Sequence, residues 1–131
     1  DIFRKTKELI EFVGLGGDIS GKVAKTFPHG HRKTLGLAMA LAISPELLLL
    51  DEPVSGMNPE ETKIMMSLIK MVRERGITIL LVEHNLRVVM GLCDRIVVLN
   101  FGRKIAEGLP NEIRENKDVI GAYLGTVTGV T

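Results

Sequence analysis

The stretch Leu47-Leu48-Leu49-Leu50-Asp51-Glu52-Pro53 decides the fold. Four consecutive apolar residues predict a buried strand, and two adjacent carboxylates follow at its C-terminal end. Parallel α/β sheets place their chemistry at that end. An Asp-Glu pair delivered there suits a magnesium nucleotide. One carboxylate helps to hold the ion, and its neighbour orients or deprotonates a water.

Reading outward from this strand gives alternating elements. Downstream, Asn58-Pro59-Glu60-Glu61 predicts a helix start, with an Asn cap, Pro at the first position and acids in the first turn. Ile64, Leu68 and Val72 form its expected buried stripe, and Gly76 its stop. Residues 77 to 83 read as a second buried strand, followed by a short helix from about Asn85 to Leu92. Residues 96 to 99 predict a third strand, and Asn100-Phe101-Gly102 turns it into a fourth over 103 to 107, paired as a hairpin. Residues 110 to 124 read as helical, with a loose tail from Gly125. Upstream, Ile2, Leu9, Ile10 and Val13 mark an amphipathic helix ending near Gly14, and residues 16 to 30 read as loop. A further helix is expected over 31 to 43, apolar at Leu35, Leu37, Ala38, Leu41 and Ala42, and stopped by Ser44-Pro45-Glu46. Strands alternating with helices predict an α/β fold, with a parallel sheet and right-handed crossovers.

Composition sets broad limits. The 131 residues suffice for one modest domain, and 45% hydrophobic with 25% charged residues is an ordinary globular balance. A net charge of +1 gives no electrostatic case for nucleic acid or acidic lipid. The single cysteine, Cys93, precludes an intramolecular disulfide, fits a reducing compartment and reads as a small packed residue. No apolar run reaches the roughly 18 residues of a membrane span. The charged opening Asp1-Ile2-Phe3-Arg4-Lys5 is not a signal peptide and reads as the interior of a longer protein.

The order of motifs is more specific than any one of them. Gly30 precedes a helix, then come the strand ending in Asp51-Glu52, the turn Ser55-Gly56-Met57-Asn58, and a strand ending in Glu83-His84. This series resembles the C-terminal half of an ATP-binding-cassette (ABC) ATPase. Phe27-Pro28-His29-Gly30-His31 lies where that family has its signature loop. Leu47 to Asp51 matches its Walker B strand, Glu52 its catalytic carboxylate, Ser55 to Asn58 its D-loop and His84 its switch histidine. Ser-Gly-Met-Asn-Pro-Glu, Val-Glu-His-Asn, the run from Asp94 to Gly102, the ending Ile105 to Pro110 and Ala122-Tyr123-Leu124-Gly125 resemble the ATPase subunits of branched-chain amino-acid importers.

The resemblance implies the C-terminal part of a P-loop NTPase domain, mostly parallel sheet with flanking helices. Residues 1–45 correspond to a helical-subdomain remnant carrying the signature loop, and 46–131 to the ATPase core with C-terminal helices. It implies ATP and Mg2+ as cofactors, with Glu52 and His84 catalytic and Asp51, Gly30 and His29 on the nucleotide. Asp51 supports the metal indirectly, and Ser55, Gly56 and Asn58 lie at a dimer contact. It further implies a second ATPase subunit, two membrane permeases and, indirectly, a periplasmic binding protein as partners. The location is peripheral, on the cytoplasmic face of a bacterial or archaeal inner membrane, with no nucleic acid involved.

Each residue also has a plainer reading. Asp51 and Glu52 are then solvated acids after a core strand, His84 and Asn58 helix caps, and Gly30 a helix-start glycine; Met65, Met66 and Met71 read as packing. The family's N-terminal motifs have no counterpart. Gly16-Gly17-Asp18-Ile19-Ser20-Gly21-Lys22-Val23 has P-loop glycine and lysine spacing. However, Val23 stands where the magnesium-binding hydroxyl belongs, and a helix rather than a strand precedes it, so it reads as a surface loop. The signature segment also departs from the usual Leu-Ser-Gly-Gly-Gln. Pro28, in place of the serine, has neither hydroxyl nor amide donor. Losing that bond to charged phosphate costs about 1.5–3 kcal/mol, and His29 or His31 is a candidate replacement donor. Met39 stands where many relatives carry arginine. Two alternatives stay open: a non-catalytic module that lends its signature loop to a complete ATPase, and a non-transport ABC ATPase of the DNA-repair type. The second usually carries coiled-coil insertions, and no heptad run occurs here.

Overall fold

A computed structural model describes residues 1–17, 19 and 21–124. Contacts divide the chain into two compact units, Asp1–Glu83 and His84–Thr131. The helix over residues 29–41 belongs to the same compact unit as the strand that follows it.

In the first unit, helix α1 spans Ile2–Phe12, with Asp1 as its N-cap. Helix α2 spans His29–Leu41, starting two residues earlier than the sequence pattern predicts. Pro28 is its N-cap, at φ −52° and ψ 155°. A fixed φ and a missing donor cost nothing just outside a helix start, so the helix begins directly after the proline. Strand β1 is Leu47–Asp51, α3 is Pro59–Glu74 and β2 is Thr78–Val82. β1 and β2 pair in parallel, Leu47 opposite Thr78 through to Asp51 opposite Val82, with α3 as the crossover.

The expected helix start of α3 is present in full. Glu61 N donates to Asn58 Oδ1 at 2.9 Å, and Asn58 N donates to Glu61 Oε2 at 3.0 Å. Each group satisfies a backbone donor that the helix leaves unpaired. The buried face of α3 is Met65, Leu68, Ile69 and Val72, whereas Ile64 is 57% exposed. Both 64 and 65 are apolar, so a 64/68/72 stripe and a 65/68/69/72 stripe fit the sequence equally; packing selects the second. Of the three methionines read as packing, Met65 is buried, Met66 is half-buried and Met71 lies 39% exposed.

The expectation of two fully buried strands is corrected in the same way. Leu48 is buried on one face of the pair. On the other, Leu47 and Leu49 of β1 and Leu80 and Val82 of β2 are each more than half exposed. Strand residues alternate between faces, so Asp51 lies on this same bare side, opposite Val82. Among the described residues nothing covers that face.

In the second unit, α4 is Leu86–Leu92, capped by Asn85, whose side chain accepts from the amides of Arg87 and Val88. Strands β3, Ile96–Asn100, and β4, Arg103–Gly108, form an antiparallel hairpin with an irregularity at Val98/Leu99. Helices α5, Pro110–Glu115, and α6, Lys117–Val119, lead into a π-helical turn, Ile120–Leu124. Ile96, Val98, Ile113 and Val119 form the core of this unit, with Cys93 packed against it. The tail expected to be loose lies outside the described residues.

The α3 register is open to direct measurement. Leu68→Ala is expected to cost about 2–5 kcal/mol, and Ile64→Ala less than about 1 kcal/mol because its side chain already meets solvent. Denaturant unfolding of the two variants would check this, and the 64/68/72 stripe requires equal losses.

Candidate functional site

The chemistry-bearing residues of the first unit meet where β1 ends. Asp51 is its last residue, exposed and without a hydrogen bond or ion pair among the described residues. The ladder continues one step further, since Glu52 N donates to Val82 O at 2.9 Å. There the backbone turns sharply. Glu52 has φ +46°, a left-handed conformation that costs a residue with a side chain about 1–3 kcal/mol unless its surroundings impose it. The surroundings do so through a dense set of bonds. Glu52 O accepts from Ser55 N at 3.1 Å and from Lys33 Nζ at 2.8 Å. Val54 N lies 3.4 Å from Glu83 Oε1, and Met57 N donates to Val54 O at 3.1 Å. Glu52 itself is half-buried, and Val54 is buried.

The start of α2 packs against the same turn. His29 Nε2 lies 3.0 Å from Ser55 O. A carbonyl only accepts, so Nε2 carries the proton, and Nδ1 is the nitrogen left for any second partner. Gly56 follows at φ +74°, where a Cβ would stand 3.0 Å from His29 Nε2. Glycine here therefore serves both the left-handed turn and the close approach of the imidazole.

Gly30 is buried, and a Cβ at this position would lie 2.6 Å from Glu61 Oε1. This gives the glycine a role within the chain that sequence reading did not find: it lets α2 approach the carboxylate that caps α3. Pro28 provides no side-chain cap, so the first amides of α2 are left for solvent or an anion.

Of the predicted dimer-contact residues, Ser55, Gly56 and Asn58 are all exposed, and the Asn58 side chain is engaged in capping α3. His84 opens the second unit and is exposed. The cap of the helix that follows is Asn85 rather than His84, so the plainer reading of His84 as a helix cap does not hold. The P-loop-like segment around Lys22 follows helix α1 and leads to one 3-10 turn, Ala24–Thr26. Among the described residues its neighbours are that helix and this turn, not the strand-to-helix junction that aims amides at phosphate. No group of three or more His, Cys, Asp or Glu able to hold a metal occurs among the described residues. Asp51 and Glu52 are hard oxygen donors of the kind that share Mg2+ with a nucleotide's phosphates and water, a binding mode that needs few protein ligands.

Known proteins share this sequence over most of its length. Over 109 residues, 82% of the chain, it is 42% identical to the high-affinity branched-chain amino acid transport ATP-binding protein BraF of Pseudomonas aeruginosa. Over 107 residues it is 46% identical to the corresponding protein LivG of Salmonella typhimurium and 45% identical to LivG of Escherichia coli. The chain matches the C-terminal part of ABC transporter ATP-binding proteins. A family model described as branched-chain amino acid ATP-binding cassette transporter matches residues 103–127. Among solved structures, the ADP conformation of MJ1267, an ATP-binding cassette of an ABC transporter, superposes with a TM-score of 0.81. It is 26% identical and covers 95% of this chain and 50% of its own. The fold is therefore that of the C-terminal part of an ABC ATPase domain. The chain spans 42–43% of the length of BraF and LivG.

Two members of the site escaped sequence reading. Lys33 and Glu83 both hold the turn after β1; Lys33 belongs to no quoted motif, and Glu83 is quoted beside His84 without a role of its own. The available signal was spacing: Lys33 follows His29 by four residues and so shares its helix face.

The Gly30 contact makes a prediction. Gly30→Ala must displace the Glu61 carboxylate and with it the Asn58 N bond, a loss of about 1 kcal/mol. Glu61→Ala already forfeits that bond, so the two losses are expected to be less than additive. A double-mutant cycle on unfolding free energy measures the difference.

Proposed function

We propose that this chain is part of the ATP-hydrolysing subunit of an ABC importer for branched-chain amino acids. The observation that carries the reading is its 42–46% identity to the BraF and LivG transport ATP-binding proteins across four fifths of its length. The local geometry supports it, with an exposed Asp51 and a half-buried Glu52 at the C-terminal end of a parallel strand.

In this reading Mg-ATP supplies a γ-phosphate whose charge is partly neutralised by the ion. Asp51 would hold the magnesium ion, which would help neutralise the phosphate charge. Glu52 orients the attacking water and accepts its proton, and its fixed backbone limits where the carboxylate can reach. His84 donates a hydrogen bond to the γ-phosphate, a contact that strengthens as charge develops there. Gly30, His29 and the first amides of α2 face phosphate held by a second ATPase subunit, and Ser55, Gly56 and Asn58 lie at that dimer contact. Residues 1–45 represent the helical subdomain and 46–131 the ATPase core.

The remaining partners are two membrane permeases and, through them, a periplasmic substrate-binding protein. No helix among the described residues is long and apolar enough to cross a membrane. The proposed location is peripheral, on the cytoplasmic face of the inner membrane.

Two measurements test the assignment. In the full-length subunit, Glu52→Gln is expected to keep ATP binding and lower hydrolysis by about 10²-fold or more. A steady-state rate within twofold of the parent removes Glu52 from the role. The 131 residues alone are expected to bind Mg-ATP poorly, because P-loop amides and their lysine are absent from the sequence. Titration with a fluorescent ATP analogue is expected to give a Kd above roughly 10 μM, equivalent to about −7 kcal/mol. Tighter binding, with a matching rise in melting temperature, would redirect attention to the segment around Lys22.

A further inference from the structure

We propose that Lys33 is a positioning residue for hydrolysis, acting with His29 to clasp the turn that carries Glu52. The inference rests on the assignment of Glu52 as the group that serves the attacking water. Glu52 holds a positive φ of +46° although it is not glycine. Several bonds that fix its turn come from the strand pair and the turn itself. Two more come from α2: Lys33 Nζ to Glu52 O at 2.8 Å, and His29 Nε2 to Ser55 O at 3.0 Å. Residues four apart share one helix face, so a single face of α2 grips the carbonyl at each end of a three-residue step.

The chemistry of the two donors differs. Lysine brings a full charge to a neutral acceptor in a half-buried setting, which makes the stronger and shorter bond. That bond falls on the carbonyl of Glu52 itself. It fixes the peptide plane after Glu52, and hence the direction in which its side chain leaves the backbone. Histidine fixes the far end of the turn, next to Gly56, whose missing Cβ leaves room for the ring. A small rotation of α2 is therefore transmitted to Glu52 within the same subunit. The start of α2 is also where the resemblance places contact with the opposite subunit's nucleotide, so the clasp links that contact to the placement of the water-activating carboxylate.

The test uses the full-length ATPase subunit. Lys33→Met keeps the aliphatic stem and removes the donor. It is expected to lower kcat about tenfold while KM for ATP stays within about twofold, since a misplaced catalytic group affects the transition state and not ground-state binding. Lys33→Arg is expected to restore most of the rate. In a Glu52→Gln background, Lys33→Met is expected to change the residual rate by less than about twofold, because residues acting as a unit are not additive. Amide hydrogen exchange separates positioning from loss of fold: exchange over residues 52–57 is expected to rise in Lys33→Met while that of α3 stays unchanged. The proposal is overturned by a kcat within twofold of the parent, by an equal tenfold loss in the Glu52→Gln background, or by exchange rising equally in α3. Parent-like hydrolysis by Glu52→Gln alone would instead overturn the underlying assignment.

Discussion

Everything at this site depends on how the chain leaves β1. The strand must end with its last carboxylate in solvent and then reverse within three residues, so that α3 can run back along the sheet. The final ladder bond, Glu52 N to Val82 O, anchors the start of that reversal to the neighbouring strand. From there the chain passes through a left-handed residue, a proline and the buried Val54 before α3 begins. Few side chains tolerate such a path without help. The help comes from three directions: Glu83 at the end of β2, the turn's own amides, and the donors of α2. The strand pair thus fixes where the acids are, and α2 fixes how they are presented.

Much of this was legible in the residues. β1, the Asn58-Pro59 helix start and the hairpin through Asn100-Phe101-Gly102 follow from short-range rules, because caps, turns and apolar runs act over a few residues. The pairing of β1 with β2 in parallel follows from the helix between them. Other features depend on contacts that no local rule contains. Whether Ile64 or Met65 faces inward was decided by packing across α3. The early start of α2 was hidden because Gly30 and two histidines look like loop until Pro28 is seen as a helix cap. Lys33 is marked only by its four-residue spacing from His29, since a lysine early in a helix is ordinarily a solvated charge. Gly30 was read for a phosphate contact, while the carboxylate of Glu61 gives a second and purely internal reason for it.

The bare face of the β1–β2 pair is the other long-range feature. An apolar strand surface of leucine and valine, more than half exposed, is uncommon in a self-contained domain. The four apolar residues of β1 were expected to be covered on both sides, as the central strands of parallel sheets are. The curated relatives BraF and LivG are nearly twice as long as this chain. In sequence terms the apolar run was informative about strand type but silent about which face would find a partner among these residues.

The carboxylate of Glu61 has a consequence for how this fold can change. One oxygen caps α3 through Asn58, and the other marks the closest approach of α2 at Gly30. The beginnings of two helices, separated by a strand and a turn, therefore share one side chain. A segment around residue 30 transplanted from a homologue arrives in a slot whose depth is set by residue 61. A shorter acid there would open space but slacken the cap; a bulkier residue at 30 would break the cap outright. The two stretches are thus exchangeable as a pair more readily than alone, which makes this small contact a unit of inheritance that crosses motif boundaries.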